Sequence, residues 1–406
     1  MRKNPTQQST DHLPPDSPRL FSSGRRARAT SRRHNEPKYQ FLDTSGWPSV
    51  DRVREFWEGW FSQYDGTKKA GLAARFRSHD NHPHLSAFLE LFTFAVLKRS
   101  GYEIHVEPAA GSKNLDFLAS AKERDLNFYA ECTATGQRAD ETSGDAREAD
   151  ILEAINRMPI AGFLPCVEFE RRGSQTPSIR RLLAGLTSWF ASLDHVAAIK
   201  QLRETNRLSE WTWMEADWRV KIRALPIEFE RGRGKGALGI VGPRVFWDQE
   251  RFRLREALDD KASKYGGLDA PLLVLINSTE YQQDSDLMTA LVGDEVWDVD
   301  VIHNRASRRF RPNGVFGSRA KPRNVFLSTV MHGRFNVLSF ASTEHTLVIV
   351  HHPFASRPLP RGLFPFCEER HFDSVSLQMV TTPPTMSVGE FFGLPRGWPF
   401  FDKDPH

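Results

Sequence analysis

The sequence predicts an α/β protein with a mixed central sheet flanked by helices, and three observations carry that expectation. Residues 86–101 form a segment of helical length that is apolar almost all round and stops on Gly101. Three short runs rich in aromatic and aliphatic residues follow at 102–107, 115–119 and 127–133, separated by turn-forming or charged residues, as strands are. A helical segment at 250–265 then leads into the apolar run 272–277.

Along the chain, order is expected to begin near Tyr39. The spacing of Val53, Phe56, Trp57 and Trp60 predicts a helix over 50–64 that packs on the helix over 86–101. Arg75 and Arg77 precede that second helix. Their guanidinium forks suit phosphate oxygens, although surface arginines are more often simply solvated. Glu90 is the only acid of the second helix, Asp116 opens the second strand-like run, and Glu131 closes the third.

If those two runs pair as an antiparallel hairpin around Lys122-Glu-Arg-Asp125, residues whose numbers sum to about 247 face each other, and Asp116 lies opposite Glu131. Two carboxylates facing each other on an apolar ladder repel and lose hydration, which a purely structural design avoids. A divalent cation removes the objection, since Mg²⁺ takes one or two carboxylates and completes its shell with water and phosphate oxygens. Taken singly, each acid reads more readily as a solvated or ion-paired residue. Their order and juxtaposition point to a metal site.

The order of a helix with Glu, a strand, a strand opening with Asp and a strand closing on Glu resembles the PD-(D/E)xK nuclease superfamily. Phe88-Leu-Glu-Leu91, Gly101-Tyr-Glu-Ile104, Leu115-Asp-Phe-Leu118 and Phe128-Tyr-Ala-Glu131 are similar to a group of bacterial proteins of comparable length. The similarity continues through Asp260-Lys-Ala-Ser-Lys-Tyr-Gly266, Pro271-Leu-Leu-Val-Leu-Ile-Asn277 and Gly393-Leu-Pro-Arg-Gly-Trp-Pro399. The resemblance implies a restriction-endonuclease-like core, with residues 46–136 and 249–290 as its two parts. It further implies Mg²⁺ (or Mn²⁺) held by Asp116 and Glu131 with the Cys132 carbonyl as a further ligand, and Glu90 on the metal or its water. Two positions depart from the motif. Leu115 stands in place of Pro, and Thr133 in place of Lys.

In the superfamily that lysine orients or activates the attacking water and stabilises charge on the phosphate. Thr133 shares a strand face with Glu131 but carries no charge. Some members supply the lysine from the following helix, so Lys264, then Lys261 one turn away, then Lys113 three residues before Asp116, are the expected substitutes.

Length and composition set the remaining bounds. A chain of 406 residues with 39% apolar residues suggests two domains, or one with large insertions. The net charge of +4 conceals an asymmetry. Residues 1–40 hold nine Lys/Arg against Asp11, Asp16 and Glu36, so the remainder of the chain is slightly acidic. Residues 1–45 therefore read as a disordered basic tail, which could add affinity for a phosphate backbone or be merely solubilising. Cys132, Cys166 and Cys367 are too few and too scattered for a disulfide framework. No run approaches the ~20 apolar residues of a membrane span, so a cytoplasmic location is expected.

Residues 137–248 read as an insertion, with a helix over 178–202 and a strand over 218–229, preceded by a polar loop at 134–148 in which Gln137 and Arg138 could reach a phosphate. Residues 291–406 read as a C-terminal extension with short strands at 296–302, 324–331, 337–339 and 346–350, ending in a loop-rich strap over 364–406. The pairs His82/His84 and His351/His352 lack a third ligand at metal spacing. Gly234-Lys-Gly-Ala-Leu-Gly239 lacks the helix that a dinucleotide site needs, and His303-Asn304 lacks the flanks of an HNH motif.

Metal-dependent hydrolysis of phosphodiester bonds is the function expected from the resemblance, with DNA preferred over RNA and a bacterial defence or mobile-element setting. The alternative is an inactive nuclease-fold protein that binds nucleic acid or a partner. A homodimer or a partner protein is left open.

Overall fold

The computed structural model describes residues 18–401, apart from 34–35, 111–112, 136–146, 227–246, 279–283, 301–304, 343–346, 374–377 and the single positions 149, 153, 156, 159, 172, 174, 206, 266 and 311. Four helices come first: α1 (Lys38–Thr44), α2 (Pro48–Ser62), α3 (Lys69–Phe76) and α4 (Asn81–Arg99). The strands β1 (Glu103–Val106), β4 (Phe117–Ala121) and β5 (Leu126–Thr135) follow, with a two-residue hairpin, β2 (Ala109–Ala110) and β3 (Lys113–Asn114), between the first two. After β5 come β6 (Phe163–Arg171), α5 (Ile179–Ala191), α6 (His195–Thr205), β7 (Ser209–Glu215) and β8 (Trp218–Pro226). The chain then forms α7 (Trp247–Lys264), β9 (Leu272–Ser278), α8 (Asp284–Val292), β10 (Glu295–Asp300), β11 (Arg305–Phe310) and β12 (Leu327–Gly333). It ends with β13 (Leu347–His351), β14 (Cys367–Phe372), β15 (Met379–Thr382) and α9 (Val388–Phe392).

Eight strands make one mixed sheet in the order β1-β4-β5-β9-β12-β13-β14-β15, flanked by helices on both faces. β1, β4 and β5 run antiparallel, β9 joins parallel to β5, and β12 joins parallel to β9. β9 and β12 are buried at every position, as strands covered on both faces must be. One face packs on α1–α4 and α9, the other on α7 and α8.

α4 is the helix expected at 86–101, begun earlier by an Asp80 cap whose carboxylate accepts the His82 N–H. It is buried continuously from Ala87 to Leu97. Past its end, Gly101 takes φ +86°, a conformation that its lack of a Cβ permits. The β4–β5 hairpin has the expected register, Phe117 opposite Ala130 through Ala121 opposite Leu126. Its tight 3₁₀ turn, Lys122–Arg124, closes on Asp125 in the left-handed region.

Several expectations need correction. The segment 18–45 is not a disordered tail. Leu20 and Phe21 are buried, both of their N–H groups donate to Glu58 Oε1 at 2.9 Å, and Phe21 packs edge-on against Phe76. An average over a polar segment hides two adjacent apolar anchors. The helix at 178–202 is two, because Asp194 accepts the Ala197 N–H and caps a second helix after Ser192 ends the first. Residues 337–339 form a turn rather than a strand. The loop-rich strap contains β14 and β15, which complete the sheet through parallel pairing of β14 with β13. Between 163 and 226, β6, β8 and β7 form a separate three-stranded sheet with its own core around Trp218, Leu182 and Leu186.

If Leu20 is an anchor, Leu20→Ala should cost about 2–5 kcal/mol of unfolding free energy in urea titration. A loose tail would give a change within about 0.5 kcal/mol.

Candidate functional site

The hairpin register carries on one step beyond its last ladder pair, bringing Asp116 beside Glu131. The Asp116 N–H donates to Glu131 Oε2 at 3.1 Å, and the Cys132 N–H donates to Asp116 Oδ2 at 2.6 Å. Alternation along β5 sends Glu131 to the α7 face and the Cys132 thiol to the α4 face, where it meets Thr93 Oγ1 at 3.2 Å. Burial pushes that thiol far above its usual pKa, so it is a small core residue and offers no thiolate.

Glu131 is 1% exposed and is the hub of the site. On its Oε1 converge the Lys261 ammonium at 2.6 Å, the Tyr265 hydroxyl at 3.0 Å and the Lys264 ammonium at 3.6 Å. Lys261 and Lys264 share one face at the end of α7 because they stand three residues apart, and Tyr265 follows directly after the helix. Burial pulls the Lys261 ammonium down, but the charge and hydrogen bond of Glu131 outweigh it and hold the group above its ordinary value. Lys261 therefore stays a cation. Burial beside Glu131 raises Tyr265 as well, so its phenol remains a neutral donor.

Glu90 is held apart from this hub. It comes from the α4 layer, where Tyr64 donates to its Oε1 at 2.6 Å and Arg75 pairs with its Oε2 at 2.8 Å. Asp116 is the acid without a cation in contact among the described residues. Burial, then the charges of Glu131 and Glu90, push it up to about 7 against the pull of Lys261 and the Cys132 N–H.

The structure thus brings Asp116, Glu131, Lys261 and Lys264 together. Lys261, placed second by sequence, is the closer lysine. Thr133 lies two residues past Glu131 on the same face, partly buried. Lys113 sits in β3, its side chain outside the described residues. Among the described residues no three His, Cys, Asp or Glu side chains gather closely enough for a metal ion. Any metal here would have two carboxylates and a backbone carbonyl, with Glu90 across the sheet from the Glu131 side chain. Asp116 Oδ1 accepts no hydrogen bond from a described residue and Glu131 Oε2 accepts one, so both keep lone pairs for a hard cation.

Sequence reasoning missed Tyr265 and Tyr64. Tyr265 was legible as the residue one turn after Lys261, but Tyr64 is 26 residues from Glu90 and left no local signal. His84 is a core histidine bonded to the Phe76 carbonyl, pushed down to about 4 by burial. His351 bonds Glu369 and His352 bonds the Arg323 carbonyl, so neither pair is poised for a metal. Gln137, Arg138, the 234–239 glycine motif and His303-Asn304 lie outside the described residues. Among the described residues no single helix is long and apolar enough to cross a membrane. Compared with known families, curated proteins and solved structures, the chain matches none.

Asp116 makes its own contribution to how stability varies with pH. Its folded pKa lies above the ordinary carboxylate value, so the folded state keeps a proton that the unfolded chain has lost. Stability should fall as pH rises from about 4 to about 7. Asp116→Asn in EDTA should exceed wild type by roughly 4 kcal/mol near pH 8, with the difference vanishing below about pH 4. Thermal unfolding at both pH values checks it, and identical curves would show an unperturbed carboxyl.

Proposed function

We propose that this protein is a divalent-metal-dependent nuclease of the PD-(D/E)xK type that hydrolyses phosphodiester bonds in nucleic acid. The observation that carries the proposal is Asp116 against Glu131, with Lys261 bonded to Glu131 from the helix that precedes the parallel strand β9. A buried carboxyl that faces two other acids and touches no cation among the described residues is costly as a purely structural feature, and a divalent cation offsets that cost. The order α4, three antiparallel strands, α7, parallel strand also agrees with the core that the resemblance implies.

Asp116, Glu131 and the Cys132 carbonyl would hold Mg²⁺ or Mn²⁺. When bound, such a cation polarises a phosphoryl oxygen and acidifies water. The chain's own groups do the rest. Lys261, fixed as a cation, is available to stabilise charge growing on the phosphate, the role that Thr133 cannot fill. Tyr265 and Lys264 orient the Glu131 carboxylate through its Oε1, leaving Oε2 toward Asp116. Glu90, steadied by Tyr64 and Arg75, adds negative potential at Asp116 without joining it. DNA is the preferred substrate and a bacterial defence or mobile-element setting the preferred context, both on the resemblance alone.

The test is cleavage of supercoiled plasmid and of single strands with Mg²⁺ or Mn²⁺. Asp116→Ala and Glu131→Ala should abolish cleavage, Lys261→Ala should lower it by about 10²–10³, and Lys264→Ala should cost less. Wild type and carboxylate variants that behave alike would end the enzyme proposal. Binding without metal-dependent cleavage would instead assign an inert nucleic-acid-binding module, the second reading, which the uncharged Thr133 favours.

A further inference from the structure

The segment ahead of α2 is strongly basic. Between residues 18 and 45 stand Arg19, Arg25, Arg26, Arg28, Arg32, Arg33 and Lys38 against only Glu36 and Asp43. Both acids are already matched. Arg28 pairs with Glu36 through both of its terminal nitrogens, and Arg26 pairs with Asp43. Arg32 Nη1 donates to the Glu36 carbonyl at 2.6 Å. Arg19, Arg25 and Arg33 are exposed; the charge of Arg19 acts on the Glu58 carboxylate.

The backbone that leads into these arginines is docked. Leu20 and Phe21 anchor the segment on α2 and α3, and the Arg77 guanidinium bonds the Arg19 and Leu20 carbonyls. Two residues before Arg77, Arg75 enters the acidic site through Glu90. The segment therefore docks on the same helix end that reaches the site. At its other end Arg28, Thr30, Arg33, Glu36 and Gln40 line a cavity of about 430 Å³, with room for a phosphodiester group.

We propose that the docked segment 18–33 is a preformed phosphate-backbone contact surface, using Arg19, Arg25 and Arg33 to hold nucleic acid beside the acidic site. A polyanion fits because the arginines of the segment outnumber its carboxylates, and because a docked backbone loses less entropy on binding than a loose tail. The inference takes its ligand class from the proposed function, but it concerns binding and stands without catalysis.

The experiment is fluorescence anisotropy of full-length protein in EDTA with a labelled duplex of about 30 base pairs, across a salt series. Replacing Arg19, Arg25 and Arg33 together by Gln should flatten the slope of log K against log salt by about 3 and weaken binding on the order of 10²-fold near 0.1 M salt. Glu58→Ala keeps every arginine but removes the acceptor that docks Leu20 and Phe21, and it should weaken binding several-fold. Circular dichroism confirms that each variant is folded. A triple variant that binds like wild type overturns the proposal. So does a loss confined to vesicles containing phosphatidylserine, which would assign a membrane instead. Glu58→Ala binding as wild type while the triple variant fails would overturn the preformed surface. If cleavage is absent while the arginine dependence holds, the nuclease reading fails and this one stands.

Discussion

One carboxylate organises the site. Glu131 Oε1 gathers two ammonium groups and a phenol from the end of α7, while its Oε2 takes a backbone N–H from the opposite strand. The bonds tie the β4–β5 hairpin to the helix that leads into β9, so the same atoms that could do chemistry also fix the junction between antiparallel and parallel halves of the sheet. A carboxylate at 1% exposure is tolerable only because it is met by this many donors. Removing one donor from such a group costs more than the bond itself, since the remaining charge stays buried.

Much of this was legible in the chain. The polar turn between the two runs sets the register, and a slip by one residue would exchange Phe117, Ala119, Phe128 and Ala130, which face the α4 side, with Leu118 and Tyr129, which face the α7 side. That register is what set Asp116 beside Glu131. The lysines were legible as a pair on one helix turn, but not which would approach, since helix phase and tilt against the sheet decide a difference of 1.0 Å. Tyr64 and Arg75 were beyond local reading. Their meeting with Glu90 depends on how α2 and α3 pack on α4, a tertiary outcome with no sequence period.

The misreadings have a common cause. Window averages describe the behaviour of most residues in a segment, whereas docking needs only a few. Leu20 and Phe21 are enough to seat a stretch whose mean composition is that of a solvated arm, and Cys367 carries the edge of the sheet into a segment crowded with proline and glycine. Where backbone pairing rather than side-chain pattern holds a strand, as at β14 and β15, the hydrophobic period is weak and sequence reading fails.

The balance of charge explains why Glu90 stands apart. Three acids, Glu90, Asp116 and Glu131, are met by three cations, Arg75, Lys261 and Lys264, yet the cations are shared unevenly. Two lie on Glu131, one lies on Glu90, and Asp116 has none in contact among the described residues. Alternation in β5 places Glu131 on the α7 face while α4 brings Glu90 from the opposite layer, so Asp116 at the strand opening feels both charges and neutralises neither. Only a proton or an added cation can settle that position. If Arg75 were drawn away from Glu90 by a phosphate, the negative potential at Asp116 would deepen and its hold on a cation would tighten.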